Sequence, residues 1–222
     1  MRAGIGFVGA LACLGSGAFA GIINPIEYRM LNGEGQLVGG WFNYWDETYN
    51  GSGNPLVDLS PLTGGLGQLT DGVIGHTDWW GNLGNGPAFE WVAWTTINPT
   101  IIFRFDQPYI FDQVSLHVNN SDLGAVTIHS LVTFDFSLDG INFTSPNSYV
   151  TDPGQYGSYG GRWVDYPLTG VGSYVRANLI RTGPNWIFLS EVEFRGRPIP
   201  TPGSTVLVGA GLMCVGRRRR RG

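Results

Sequence analysis

Two tryptophan-bearing segments and one Asp-Gly turn are the places where this chain's residue types could do chemistry. Trp79-Trp80, flanked by His76, Asp78 and Asn82, sets two indole rings among polar groups, and Arg162-Trp163 sets another ring beside a cation. Sugar rings expose C–H faces that stack on such rings while neighbouring polar groups fix orientation. Consecutive side chains of an extended segment point to opposite sides, so one of Trp79 and Trp80 is expected to present its ring and the other to pack inward. Packing in a core or loop is the competing role for every tryptophan. Asp71-Gly72 places a carboxylate beside a flexible turn. That carboxylate either caps the turn or joins a calcium site, which takes about six to eight oxygen donors.

Catalysis has no comparable constellation. Glu191 and Glu193 share one face of a strand as paired acids would, but the same spacing is expected of any solvated strand face. No G-x-S-x-G, H-E-x-x-H or Gly-rich phosphate loop occurs. His117 and His129 fall near separate strands and are expected to face solvent, which leaves His76 and Asp78 without a second histidine at zinc spacing. Cys13 and Cys214 lie near the two ends, so the middle of the chain offers neither a thiolate nucleophile nor a disulfide. The reading is a chain that is not an enzyme.

The elements that must position these residues are strands. Among 222 residues there are 35 Gly, 13 Pro and no lysine, with 8 Trp, 9 Tyr and 12 Phe, so turns and aromatic contacts replace long charged helices. Ile101, Phe103 and Phe105 alternate with polar neighbours, as do Val114, Leu116 and Val118, with Pro108 expected to separate the two strands. Val132, Phe134, Phe136 and Leu138 face one way along a third strand, and Asp139-Gly140 supplies turn chemistry after it. Val175, Ala177 and Leu179, then Phe188, Val192 and Phe194, continue the pattern. No helix-length period separates them, so two packed antiparallel sheets bury all the apolar faces together, an all-β sandwich.

The two ends read as export signals. Arg2, the apolar stretch Ile5 to Leu14 and Ala18-Phe19-Ala20 form a signal peptide over 1–20, cut before Gly21. From Gly21 to Pro200 seven arginines stand against seventeen acids, a net −10, which repels phosphate backbones and excludes nucleic acid as a partner. Residues 198–222 combine Pro200-Thr201-Pro202, an uncharged membrane segment over 204–216 and the arginines Arg217, Arg218, Arg219, Arg220 and Arg221. As a helix that segment spans about 20 Å, short of the ~30 Å hydrocarbon layer. The order of features resembles the PEP-CTERM sorting signal of exported bacterial proteins, with Thr201 where the family has glutamate. A simple tail anchor is the alternative. The resemblance implies transit through the inner membrane, an exosortase-type processing partner and a secreted or cell-surface destination.

A second resemblance covers 67–196. Leu69-Thr70-Asp71-Gly72, Trp79-Trp80-Gly81, the strand Thr100 to Asp106, Ser137-Leu138-Asp139-Gly140 with Phe143, and the closing Leu189 to Gly196 occur in the order of discoidin-like domains. These are also called coagulation factor 5/8 type C or galactose-binding-like jelly rolls. The resemblance implies a jelly-roll sandwich over 67–197. The two ends add an N-terminal signal helix and a short C-terminal hydrophobic helix, and 21–66 is an N-terminal extension of the β domain, an extra strand or a loop-rich segment. It also implies a structural Ca2+ held by Asp71 and Glu191. The expected function is a noncatalytic surface or matrix module that binds extracellular polysaccharide through His76, Trp79, Trp80, Arg162 and Trp163. A purely structural surface protein and a secreted glycan hydrolase are the alternatives.

Overall fold

Alternating segments become strands because one face of each can be buried while the other meets solvent or a second layer. The computed structural model describes residues 20–35, 42–81, 90–121, 123–144, 146–156 and 160–199. Among them are β1 (Gly21–Ile23), β2 (Glu27–Leu31), β3 (Pro61–Gly65), β4 (Val92–Trp94), β5 (Thr100–Asn119), β6 (Leu131–Ser137), β7 (Asn147–Val150), β8 (Gly161–Ile180) and β9 (Ile187–Pro198). Three short 3-10 turns complete the set, at Gln68–Thr70, Trp79–Gly81 and Pro153–Tyr156. No helix among the described residues is long and apolar enough to cross a membrane.

Two strands of 20 residues, β5 and β8, run through both layers of the sandwich. Their antiparallel ladder breaks register between Arg104 and Tyr109. Before the break β5 pairs with β2, which carries β3, and with the second half of β8, which carries β6 and β7. Beyond it β5 lies between the first half of β8 and β9, whose far edge carries β1 and β4. All these pairings are antiparallel. Phe103 of the first layer meets Phe194 of the second at 5.0 Å between ring centres, and Phe111 of the second stacks on Phe136 of the first at 5.7 Å. The inner faces therefore interdigitate through rings, as in a β-sandwich.

Two local expectations are corrected. Pro108 does not separate two strands: it lies inside the single strand β5, in the register break where no residue of β8 opposes it, so its missing N–H deprives no ladder partner. Leu138 does not join the apolar face of β6 and is 64% exposed. The strand ends at Ser137 because the turn begins there. The Asp139 carboxylate accepts the N–H groups of Ile141 and Asn142 at 2.9 and 2.8 Å, and Gly140 takes φ +73°.

The first half of β8 has no strand partner on its outer edge among the described residues. Side chains of β7 occupy that edge instead. The Asn147 carboxamide accepts the Thr169 N–H at 2.8 Å and donates to its carbonyl at 3.3 Å, and the Tyr149 hydroxyl donates to the Pro167 carbonyl.

Candidate functional site

Asp71 and Glu191 meet across the sandwich. The turn Gln68–Thr70 packs against β9. Gly72, at φ +80°, then directs its N–H to Glu191 Oε2 at 2.8 Å. Asp71 Oδ1 accepts the Val73 N–H at 2.8 Å, so this carboxylate does cap its own turn, by one oxygen. The two acids, with Asn24, Thr70 and Glu193, line a cavity of about 310 Å3. Glu191 is 4% exposed, which corrects the solvated-face reading of that strand. Burial, with smaller contributions from the charges of Asp71 and Glu193, pushes its acid from 4.5 up to about 8.

A second buried acid lies behind the turn. Asp46 accepts the Tyr28 hydroxyl and, at 2.8 Å, the Gln68 N–H. Burial first, and the charge of Asp71 among lesser causes, raise its pKa to about 6. The Gln68 side chain is buried with neither its oxygen nor its nitrogen paired. A buried amide left unpaired is costly. The Asp71 and Glu191 carboxylates, which line one cavity, are hard oxygen donors of the kind calcium takes, so the residues present fit that ion. Among the described residues no three of His, Cys, Asp and Glu gather into a metal cluster, so backbone carbonyls and water would complete the shell.

The tryptophan pair lies on the 3-10 turn Trp79–Gly81 rather than on an extended segment. One ring still packs in and one faces out, because successive residues of such a turn point about 120° apart. Trp80 is 43% exposed and meets Trp79 edge-on at 5.6 Å. Trp79 packs on Gly124, where an added Cβ would stand 2.4 Å from the indole. Around Trp79 the rings of Phe42, Tyr44, Trp186 and Phe188, with Val126, form a cup of about 210 Å3. Tyr44 is the hinge of this cluster: it stacks on Phe42 at 5.8 Å and meets Trp186 and Phe188 edge-on at 5.6 and 4.6 Å.

His76, Arg162 and Trp163 belong to a neighbouring group. The His76 N–H and the Thr77 N–H both donate to Glu90 Oε2, at 3.0 and 2.9 Å, so that carboxylate shapes the loop before Trp79. On β8, Arg162 and Trp163 lie opposite Val118 and His117 of β5. The Trp163 ring meets His117 edge-on at 5.2 Å. His117 is buried, not solvent-facing, because Trp91 stacks on it at 5.5 Å. Burial first, then the charge of His76, lowers its pKa to about 4. His129 is likewise buried, under Tyr166, and its pKa falls to about 3. His117 Nδ1 lies 2.6 Å from Ser190 Oγ, which also accepts the Gly75 N–H. Ser190 and His117 are both buried. Trp91 links the two groups, since it also meets Phe188 edge-on at 6.4 Å.

Sequence reasoning missed the cup residues Phe42, Tyr44, Trp186 and Phe188 as site residues. The dense aromatic run Trp41-Phe42-Asn43-Tyr44-Trp45 was the available signal. Asn82 and the sorting residues Pro200, Thr201, Pro202 and Arg217 to Arg221 lie outside the described residues.

Over residues 25–196 the sequence matches the family described as discoidin domain-containing receptor 1/2, DS-like domain. It is 27% identical over 166 residues to the discoidin domain-containing receptor tyrosine kinase B of Caenorhabditis elegans, covering 72% of this chain and 20% of that receptor. Identity to the epithelial discoidin domain-containing receptor 1 of Mus musculus is 30% over 141 residues, covering 59% of this chain and 15% of the receptor. The chain thus spans about a fifth or less of the length of these receptors. Among solved structures, the C-terminal domain of a chitobiase from Bacteroides fragilis superposes with a TM-score of 0.42 at 16% identity, covering 82% of this chain and 95% of that one. With the family match running from the start of β2 almost to the end of β9, the chain belongs to the discoidin domain-containing receptor DS-like domain family.

Proposed function

We propose that this chain is an exported, noncatalytic surface module that binds extracellular polysaccharide at the Trp79–Trp80 end of the sandwich. The observation that carries the reading is Trp80, a large ring left 43% exposed beside a cup of further rings. An exposed aromatic face with polar neighbours is the usual platform for a sugar's C–H surface. Calcium, held by Asp71 and Glu191, braces the loop that leads to the platform. Export follows the signal at 1–20, and the tail at 198–222 is cut by an exosortase-type enzyme during passage through the inner membrane.

A glycan array probed with the full-length chain, followed by calorimetry, tests the binding. Trp80→Ala weakens saccharide binding while leaving the thermal transition in place. Absence of binding across neutral, amino and acidic polymers leaves a purely structural surface protein, and glycan cleavage lost in Glu191→Gln restores the hydrolase. Intact-mass analysis of the native protein tests the export. Mature material that keeps both Met1 and Gly222 overturns processing at either end.

A further inference from the structure

Resting on the carbohydrate-binding reading, we infer that the cup formed by Phe42, Tyr44, Trp79, Trp186 and Phe188 is the specificity pocket, and that it takes one uncharged sugar ring and turns away uronates. Its size sets the first limit. About 210 Å3 is below the roughly 300–1,000 Å3 of sites that enclose drug-sized ligands, so the cup holds a single ring and leaves the rest of a polymer to Trp80 and solvent.

The lining sets the second limit. Among the described residues none lining the cup carries a charge: burial pushes the Tyr44 hydroxyl further up, so it stays neutral. The chain has no lysine, and no arginine lines the cup among the described residues. A carboxylate entering here would lose its hydration among aromatic rings without a cation to meet it. Beside Trp79 in the chain, the Asp78 carboxylate accepts the Trp79 backbone N–H at 2.8 Å, and its negative charge adds repulsion.

The polar groups that remain are donors awaiting a neutral acceptor. The Trp79 indole N–H is shielded from solvent and has no partner among the described residues. The Tyr44 hydroxyl reaches the Trp79 carbonyl only at 3.4 Å, a weak contact that a ligand can replace. Hydroxyl or ring oxygens of a neutral sugar satisfy both without bringing charge, while its C–H faces lie on the rings. Gly124, at φ +65°, keeps the floor open against Trp79.

Calorimetry on the full-length chain with neutral oligosaccharides (glucose, galactose and N-acetylglucosamine series) and with uronate oligosaccharides tests the inference. At pH 7 a neutral series binds and the uronates bind at least about tenfold more weakly, since burying an unpaired charge costs well over 1.4 kcal/mol. Trp79→Phe keeps a ring but removes the indole donor, and lowers neutral-sugar affinity about fivefold with the melting temperature held. Should that variant lose its fold, Tyr44→Phe, which removes the second donor, gives the same test. Uronate binding that equals or exceeds neutral binding, lost in Trp80→Ala but kept in Trp79→Phe, overturns the pocket and leaves the carbohydrate module standing. No saccharide binding, or binding only of aromatic peptides, overturns both.

Discussion

Glu191 and Gly72 stand 119 positions apart in the chain and are joined by one hydrogen bond of 2.8 Å. That bond holds the Asp71 turn against β9 and puts a buried acid beside a second acid. Burial raises the Glu191 acid to about 8 from its ordinary 4.5. Between those pH values the folded chain keeps a proton that the unfolded chain releases, so stability falls as pH rises through this window and levels off above it. Glu191→Gln accepts the same N–H without that burden. In chelator it is expected to melt higher than the parent at pH 9 and no higher at pH 5. Equal melting differences at the two pH values would contradict the buried-acid account.

Calcium added to the parent at neutral pH should raise the melting temperature, by about 2.7 kcal/mol of stability at a hundredfold excess over its dissociation constant. Asp71→Asn and Glu191→Gln should each abolish the increment. A melting curve indifferent to calcium and to chelator, in protein shown to be metal-free, removes the ion from the site.

Acid should weaken the fold through His129. Its imidazole is buried against Tyr166, and its pKa is lowered to about 3 from 6.5. Below about pH 6.5 the unfolded chain takes up a proton that the folded chain refuses, so stability drops as pH falls toward 3. His129→Gln should flatten the acid limb of the melting-temperature profile. His117, lowered to about 4 in the same direction, leaves a residual slope. A limb unchanged by His129→Gln would assign it to other groups.

Trp80 and Trp91 should divide sharply on truncation. Trp91 is fully buried between His117 and Phe188, so Trp91→Ala should cost roughly 3–5 kcal/mol. Trp80→Ala, at an exposed ring, should stay within about 0.5 kcal/mol. Denaturant midpoints of the two variants check the contrast.

What the sequence could reveal follows from range. The period-two strands around Phe103, Leu116, Phe134, Ala177 and Val192 were legible because alternation is local and each strand buries one face. The histidines were misread for the same reason: alternation places His117 on the far face of its strand, and nothing local shows that Trp91 and Trp163 cover that face. Pro108 looked like a boundary because a register break is a relation between two strands, invisible in either alone. Asp71 and Glu191 emerged as a pair only through family resemblance, since they stand 120 positions apart in the chain. Gln68 gave no signal, as a polar residue before a turn reads as solvated. The cup draws on four distant segments, and its chemistry exists only after the sandwich closes.

The side chains of Asn147 and Tyr149 on the outer edge of β8 bear on how copies of this chain can meet. An open strand edge is a template on which another copy can zip. Here the Thr169 N–H and the Thr169 and Pro167 carbonyls are already engaged by β7, so the edge is closed at these two residues from within the molecule. A second copy adding a strand along this stretch would first have to displace Asn147 and Tyr149.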